Sequence, residues 1–125
     1  GRVTFLGHQR DPLPFIAAAD VFVQPSLSEG MSNALMEAMT LGRCIVATRV
    51  GAASDLLEDA VQALLTPPAV PDLALAITRA LGDPALRDRL GAAARRRAED
   101  FSVARIASAL DAILRAVSEG RRIPP

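Results

Sequence analysis

Two carboxylates with seven residues between them, Glu29 and Glu37, stand out in this sequence as a pair able to hold a polyol ligand. Glu29 follows the run Gln24-Pro25-Ser26-Leu27-Ser28 and precedes Gly30 and Met31; Ser32 then stands where a helix N-cap belongs, ahead of Asn33, Ala34, Leu35 and Met36. Gly30 lets the backbone approach a ligand, and the first helical turn after Ser32 leaves N–H groups free, with about half a positive charge from the macrodipole. Such an end takes phosphate. Helical side chains lean towards the N-terminus, so the Glu37 carboxylate reaches back over the same space. There it would accept from a pair of sugar hydroxyls, as carboxylates do in dinucleotide sites. Glu29 can do the same for a second polyol. Ribose, diphosphate and a further sugar together describe a nucleotide sugar. Each carboxylate also has a plainer reading, Glu29 as a solvated loop residue and Glu37 as an exposed helix residue, and spacing alone does not decide between them.

The elements that must position these residues form a βαβ unit across residues 24–51. The β-branched run at 21–23 is a strand, residues 33–41 a helix closed by Gly42 at positive φ, and the apolar run 44–47 the next strand. In an open α/β sheet ligands bind outside the carboxyl ends of strands, which points to the loop 26–32 first and to the loop 49–54 second. Residues 3–6 read as a further buried strand stopped by Gly7, with His8, Gln9 and Arg10 on the loop beyond; solvated loop residues are the plainer reading of those three. Asp11-Pro12 opens a helix with Phe15, Ile16 and Ala19 inward, ended by Asp20. A short helix is expected over 55–57 and a last strand over 63–66, after which Pro67, Pro68 and Pro71 mark a turn.

The remainder reads as helical. Asp72 is placed to cap a helix with Leu73, Ala76, Ile77, Ala80 and Leu81 on one face, and Asp83-Pro84 to open another with Leu86, Leu90 and Ala94 inward. Phe101 and Ile106 have the spacing of a hydrophobic staple about Ser102, and Val103, Ala107, Leu110, Ile113, Leu114 and Val117 continue a long amphipathic helix. The GRRIPP tail is expected to fray. The fold class is α/β, a partial Rossmann-like three-layer arrangement with a parallel sheet of about four strands and C-terminal helices.

Composition sets the outer bounds. The 125 residues, half of them apolar, suffice for one core and one domain. Fourteen basic residues balance fourteen acidic ones, and no base is lysine, so nothing draws the chain generically to nucleic acid or anionic membrane. A charge near zero eases self-association. The single cysteine, Cys44, lies in an apolar run, where a buried thiol in a reducing cytoplasm is the expectation. No apolar stretch reaches the roughly 20 residues of a membrane span, and the N-terminus lacks the features of a signal peptide. Arg95, Arg96 and Arg97 point about 100° apart on a helix and read as a solvated face.

The strings FLG, AAADVFVQPSLSEGMSNALMEAM, GRCIVATRVG and LLTPP, in that order, resemble the C-terminal donor-binding domain of GT-B retaining glycosyltransferases of the family 4 type. The resemblance runs to Phe101-Ser102, and its most specific element is Glu29 with seven residues before Glu37. It implies that Glu37 binds the ribose hydroxyls, that Glu29 meets hydroxyls of the donor hexose as the catalytic-centre carboxylate, and that the backbone of Gly30, Met31, Ser32 and Asn33 meets the diphosphate. It further implies retention, with no metal or other cofactor besides the nucleotide-sugar donor, and an acceptor of unknown identity. The sequence departs from the family where Gly51-Ala52-Ala53-Ser54-Asp55 replaces a Gly-Gly-x-x-Glu segment, and where Ala60 and Ala63 replace glycines. In the family the acceptor domain and the first donor-domain strands lie upstream, so the chain looks like part of a longer enzyme and by itself is expected not to catalyse transfer. A glycosidase pair is the rival chemistry for two carboxylates, disfavoured because a hydrolase needs no diphosphate cradle. A non-catalytic α/β scaffold is the alternative outside enzymology, and a homo-oligomer through the 3–6 edge or the last helix is expected in either case.

Overall fold

A computed structural model describes residues 2–121; of the GRRIPP tail, residues 122–125 lie outside the described residues. Three strands, β1 (Val21–Gln24), β2 (Cys44–Thr48) and β3 (Leu64–Thr66), form a parallel sheet in the order β1-β2-β3. Register pairs Gln24 with Ala47 and Thr48 with Thr66, which brings the carboxyl ends of all three strands to one edge.

Both faces of the sheet are covered, which is why its strands are apolar without alternation. One face carries Phe22, Ile45, Ala47 and Leu65 against Ile16 of α1 (Leu13–Ala18), Leu35 and Met39 of α2 (Asn33–Thr40) and Leu56 of α3 (Ala53–Leu56). The other carries Val21, Val23, Cys44, Val46 and Leu64 against Ala76 and Ala80 of α4 (Val70–Gly82) and Leu86 and Leu90 of α5 (Pro84–Ala98). The architecture is three-layered, as expected. α6 (Val103–Ser118) follows a 3-10 turn at Glu99–Phe101 and buries only Ala116.

Several expectations about local structure are met. Ser32 caps α2, its Oγ accepting from Leu35 N–H at 3.3 Å. Gly42 at φ +64° ends that helix, with its N–H on the Met39 carbonyl and the Arg43 N–H on the Ala38 carbonyl, the paired bonds of a Schellman motif. Asp83 and Ser102 cap α5 and α6.

Others are corrected. Residues 3–6 form no strand: they pair with nothing among the described residues, and Val3 and Phe5 are exposed. An extended segment gains ladder bonds and burial only beside a partner strand, and none lies beside it. Among the described residues the sheet accordingly has three strands where about four were expected. The helix expected to start at Asp72 starts at Val70, because Pro71 is tolerated in a first turn; Asp72 lies inside that turn and the N-cap, Ala69, makes no side-chain bond. The short helix begins at Ala53 rather than 55, and Ala63 precedes β3, joined to Asp59 by an isolated bridge. Phe15 and Leu81 are exposed although the helical period had turned them inward. Arg97 is not merely solvated: it donates to the Leu56 and Asp55 carbonyls at 3.2 and 3.3 Å and lies 4.8 Å over the Phe101 ring. It thereby satisfies the carbonyl end of α3.

Candidate functional site

The loop between β1 and α2 leaves the carboxyl edge of the sheet at Gln24 and returns at Ser32. Two contacts hold its backbone. The Thr48 hydroxyl, at the end of β2, donates to the Ser26 carbonyl at 2.5 Å. Then the loop after β2 packs against Glu29 and Gly30: Ala52 N–H donates to the Gly30 carbonyl at 3.4 Å, and Gly51, at φ +54°, lies so close that a Cβ on it would fall 1.8 Å from the Glu29 carbonyl oxygen. Only glycine fits both the dihedral and the approach. The two loops singled out separately in the sequence are therefore one structure, with Gly51 as the point of contact.

Glu29 is exposed, yet its carboxylate is held. Its Oε2 accepts from the Gln24 side-chain amide and from the Ser26 hydroxyl, each at 3.2 Å. Gln24 accepts in turn from the Ser32 hydroxyl at 2.9 Å. Glu37, on α2, is half-buried and has neither ion pair nor side-chain hydrogen bond among the described residues. Its acceptor capacity is open. At the start of α2 the N–H groups of Asn33 and Ala34 find no acceptor among the described residues, and the first turn holds no acidic side chain. Gly30, Met31 and Asn33 are exposed, Ser32 buried. The edge thus presents free donors at a positive helix end and one anchored carboxylate, and α2 carries an unpartnered carboxylate, Glu37, four residues after Asn33.

The other polar candidates form no hydrogen bond or ion pair with Glu29 or Glu37 among the described residues. Gln9 donates to the Leu6 carbonyl, and no strand at 3–6 anchors the loop that carries His8, Gln9 and Arg10. A cavity of about 580 Å³ lies beyond the second loop, lined by Arg49, Asp55, Asp59 and Arg97 among others, and includes neither Glu29 nor Glu37. Arg49 and Asp59 pair across it at 3.2 Å, both about half exposed, so the pair stabilises the fold little. Cys44 is buried, and desolvation pushes its thiol up, the charge of Arg87 acting in the opposite direction. No cluster of His, Cys, Asp and Glu able to hold a metal ion occurs among the described residues. No helix there is long and apolar enough to cross a membrane. Sequence reasoning missed Gln24, Ser26, Thr48 and Gly51 as supports of the site. Gln24 carried a signal, as the one polar residue ending a β-branched run.

Residues 1–83 match the family described as glycosyl transferases group 1. This chain belongs to that family. Among curated relatives, the alpha-D-kanosaminyltransferase of Streptomyces kanamyceticus is 34% identical over 87 residues, covering 69% of this chain and 22% of that enzyme. Among solved structures, sucrose-phosphate synthase from Thermosynechococcus elongatus superposes with TM-score 0.78 at 32% identity over 85% of this chain and 27% of that one. HepE from Anabaena in complex with UDP gives TM-score 0.80 at 31% identity over 88% and 32%, and the same protein with UDP-glucose gives 0.70 at 29% over 82% and 30%. The α/β layers are thus those of GT-B-like glycosyltransferases, and the chain spans about a quarter of the length of the curated relatives it matches.

Proposed function

We propose that this chain is the donor-binding part of a retaining, family 4 type glycosyltransferase, which moves a hexosyl group from a nucleotide sugar to an acceptor. The observation that carries the reading is the pairing, on one sheet edge, of a carboxylate anchored by two donors with a helix end whose Asn33 and Ala34 N–H groups are free. In this reading Glu37 takes the ribose hydroxyls through its open acceptors, the backbone of Gly30, Met31, Ser32 and Asn33 takes the diphosphate, and Glu29 takes hydroxyls of the transferred hexose. HepE, a structural neighbour, was solved with UDP and with UDP-glucose, which favours a nucleotide-sugar donor here.

The chemistry left to these residues is positioning. Glu29, held from one side, fixes the hexose so that its anomeric carbon faces the acceptor, while the helix end offsets negative charge on the departing diphosphate. The share of the relatives' length that the chain spans supports its being one part of a longer enzyme, whose remainder supplies the acceptor site and further cationic groups. Alone, it binds donor without transferring sugar.

Calorimetric titration with UDP, GDP and the corresponding nucleotide sugars tests this, beside Glu37→Ala. Binding weakened about tenfold or more by the substitution is expected, since a charged acceptor of two hydroxyls is lost. Equal affinity of wild type and Glu37→Ala would refute the assignment of the ribose site.

A further inference from the structure

Resting on the donor reading above, we infer that Gln24 is the positioning residue of the site: it orients the Glu29 carboxylate by linking it to the capped end of α2. The chain of bonds has only one consistent direction. Leu35 N–H donates to Ser32 Oγ, so the single hydroxyl proton of Ser32 is free to go to Gln24 Oε1, 2.9 Å away. A carboxylate only accepts, so the Gln24 NH2 is the end directed at Glu29 Oε2, 3.2 Å away, and Gln24 Oε1 is the end left facing the Ser32 hydroxyl. The Ser26 hydroxyl supplies the second donor to the same oxygen.

The arrangement answers a physical need. Glu29 is exposed on a loop, and a glutamate there rotates among many conformers. Gln24 is half-buried at the end of β1, and Ser32 is buried at the cap, so the partners of Glu29 are themselves fixed. Both donors converge on Oε2, and Oε1 has no protein partner among the described residues. Oε1 is therefore the oxygen presented to the hexose, and its direction is set by residues that touch no ligand. Gln24 bonds the side chain of Ser32 and not its backbone, and neither Glu37 nor the free N–H groups of Asn33 and Ala34 receive a bond from it, so its effect falls on the sugar contact through Glu29.

This separation gives the test. UDP and UDP-glucose are titrated calorimetrically against wild type, Gln24→Ala and Gln24→Met, the last preserving side-chain bulk. The affinity for UDP should be unchanged in both variants, while the extra affinity that glucose confers falls about five- to tenfold, the loss of one bond to a charged group. Adding Glu29→Gln to Gln24→Ala should bring little further loss, because both act on one contact. Equal losses for UDP and UDP-glucose would reduce Gln24 to a structural residue and overturn the inference.

A second readout needs no ligand. In the 15N spectrum of the wild-type chain the Gln24 side-chain amide should be displaced from the position of free glutamine amides and return towards it in Glu29→Ala. An amide at the free position, unmoved by Glu29→Ala, would overturn the inference even if the chain binds UDP-glucose. A displaced amide in a chain that binds no nucleotide sugar would instead uphold the linkage and sink the donor reading.

Discussion

Replacing Gly51 by alanine strikes the contact on which the two loops of the sheet edge depend. At φ +54° an L side chain costs about 1–2 kcal/mol. The added methyl would also fall 1.8 Å from the Glu29 carbonyl oxygen and 3.2 Å from that of Gly30. Both are backbone atoms that cannot swing aside, so the loops must part, at an overpacking cost of about 1–3 kcal/mol. Together the destabilisation is about 2–5 kcal/mol, or roughly 8–20 °C in Tm at about 4 °C per kcal/mol. Gly30→Ala provides the contrast: its Cβ meets nothing within 4 Å and its φ is not positive, so a change within about 0.5 kcal/mol is expected. Circular-dichroism melts of both variants, followed by UDP-glucose titration well below either midpoint, read the two effects. Gly51→Ala should lose stability and donor affinity together, since parting the loops shifts the backbone that carries Glu29. A Gly51→Ala melt within about 2 °C of wild type would refute the claim that this close approach holds the loop.

Two further outcomes follow from other parts of the molecule. Burial raises the Cys44 thiol above its ordinary value of 9.0, so above that pH the unfolded chain releases a proton that the folded chain retains; the contribution of this thiol is constant well below pH 9 and lowers stability as pH rises beyond it, and Cys44→Ala should flatten that decline in urea titrations. Val103, Ile106, Leu110, Leu114 and Val117 of α6 are exposed, and copies of the chain are proposed to associate through this face; light scattering should show a mass above the monomer that Leu110→Glu lowers, and a monomer at all concentrations would remove the proposal. Residues 3–6 form no strand in the single chain, so the alternative route, through an edge there, requires the strand to form on association.

Much of the fold was legible because local chemistry and burial agree. The run at 21–24, the Ser32 cap, the Gly42 stop and the run at 44–48 each carry their own signal, and the structure keeps all of them. Residues 3–6 carry the same apolar signal and form nothing, because a strand exists only by pairing and apolar period says nothing about partners. Phe15, Leu81 and α6 fail in a similar way: helical spacing defines a face, and only tertiary packing decides whether anything covers it.

Local pattern sufficed for the strand, the polar loop that carries Glu29 and the Ser32-capped helix that carries Glu37, since strand run, cap and helical period are local geometry. Tertiary structure alone decided that Gly51 would lock the second loop onto Glu29, and that Gln24, Ser26 and Ser32 would turn a loop glutamate into a fixed one. The reason is physical. A backbone approach between segments some twenty residues apart, and a hydrogen-bond chain joining a strand end, a loop and a helix cap, depend on relative placement in space, which no local pattern encodes.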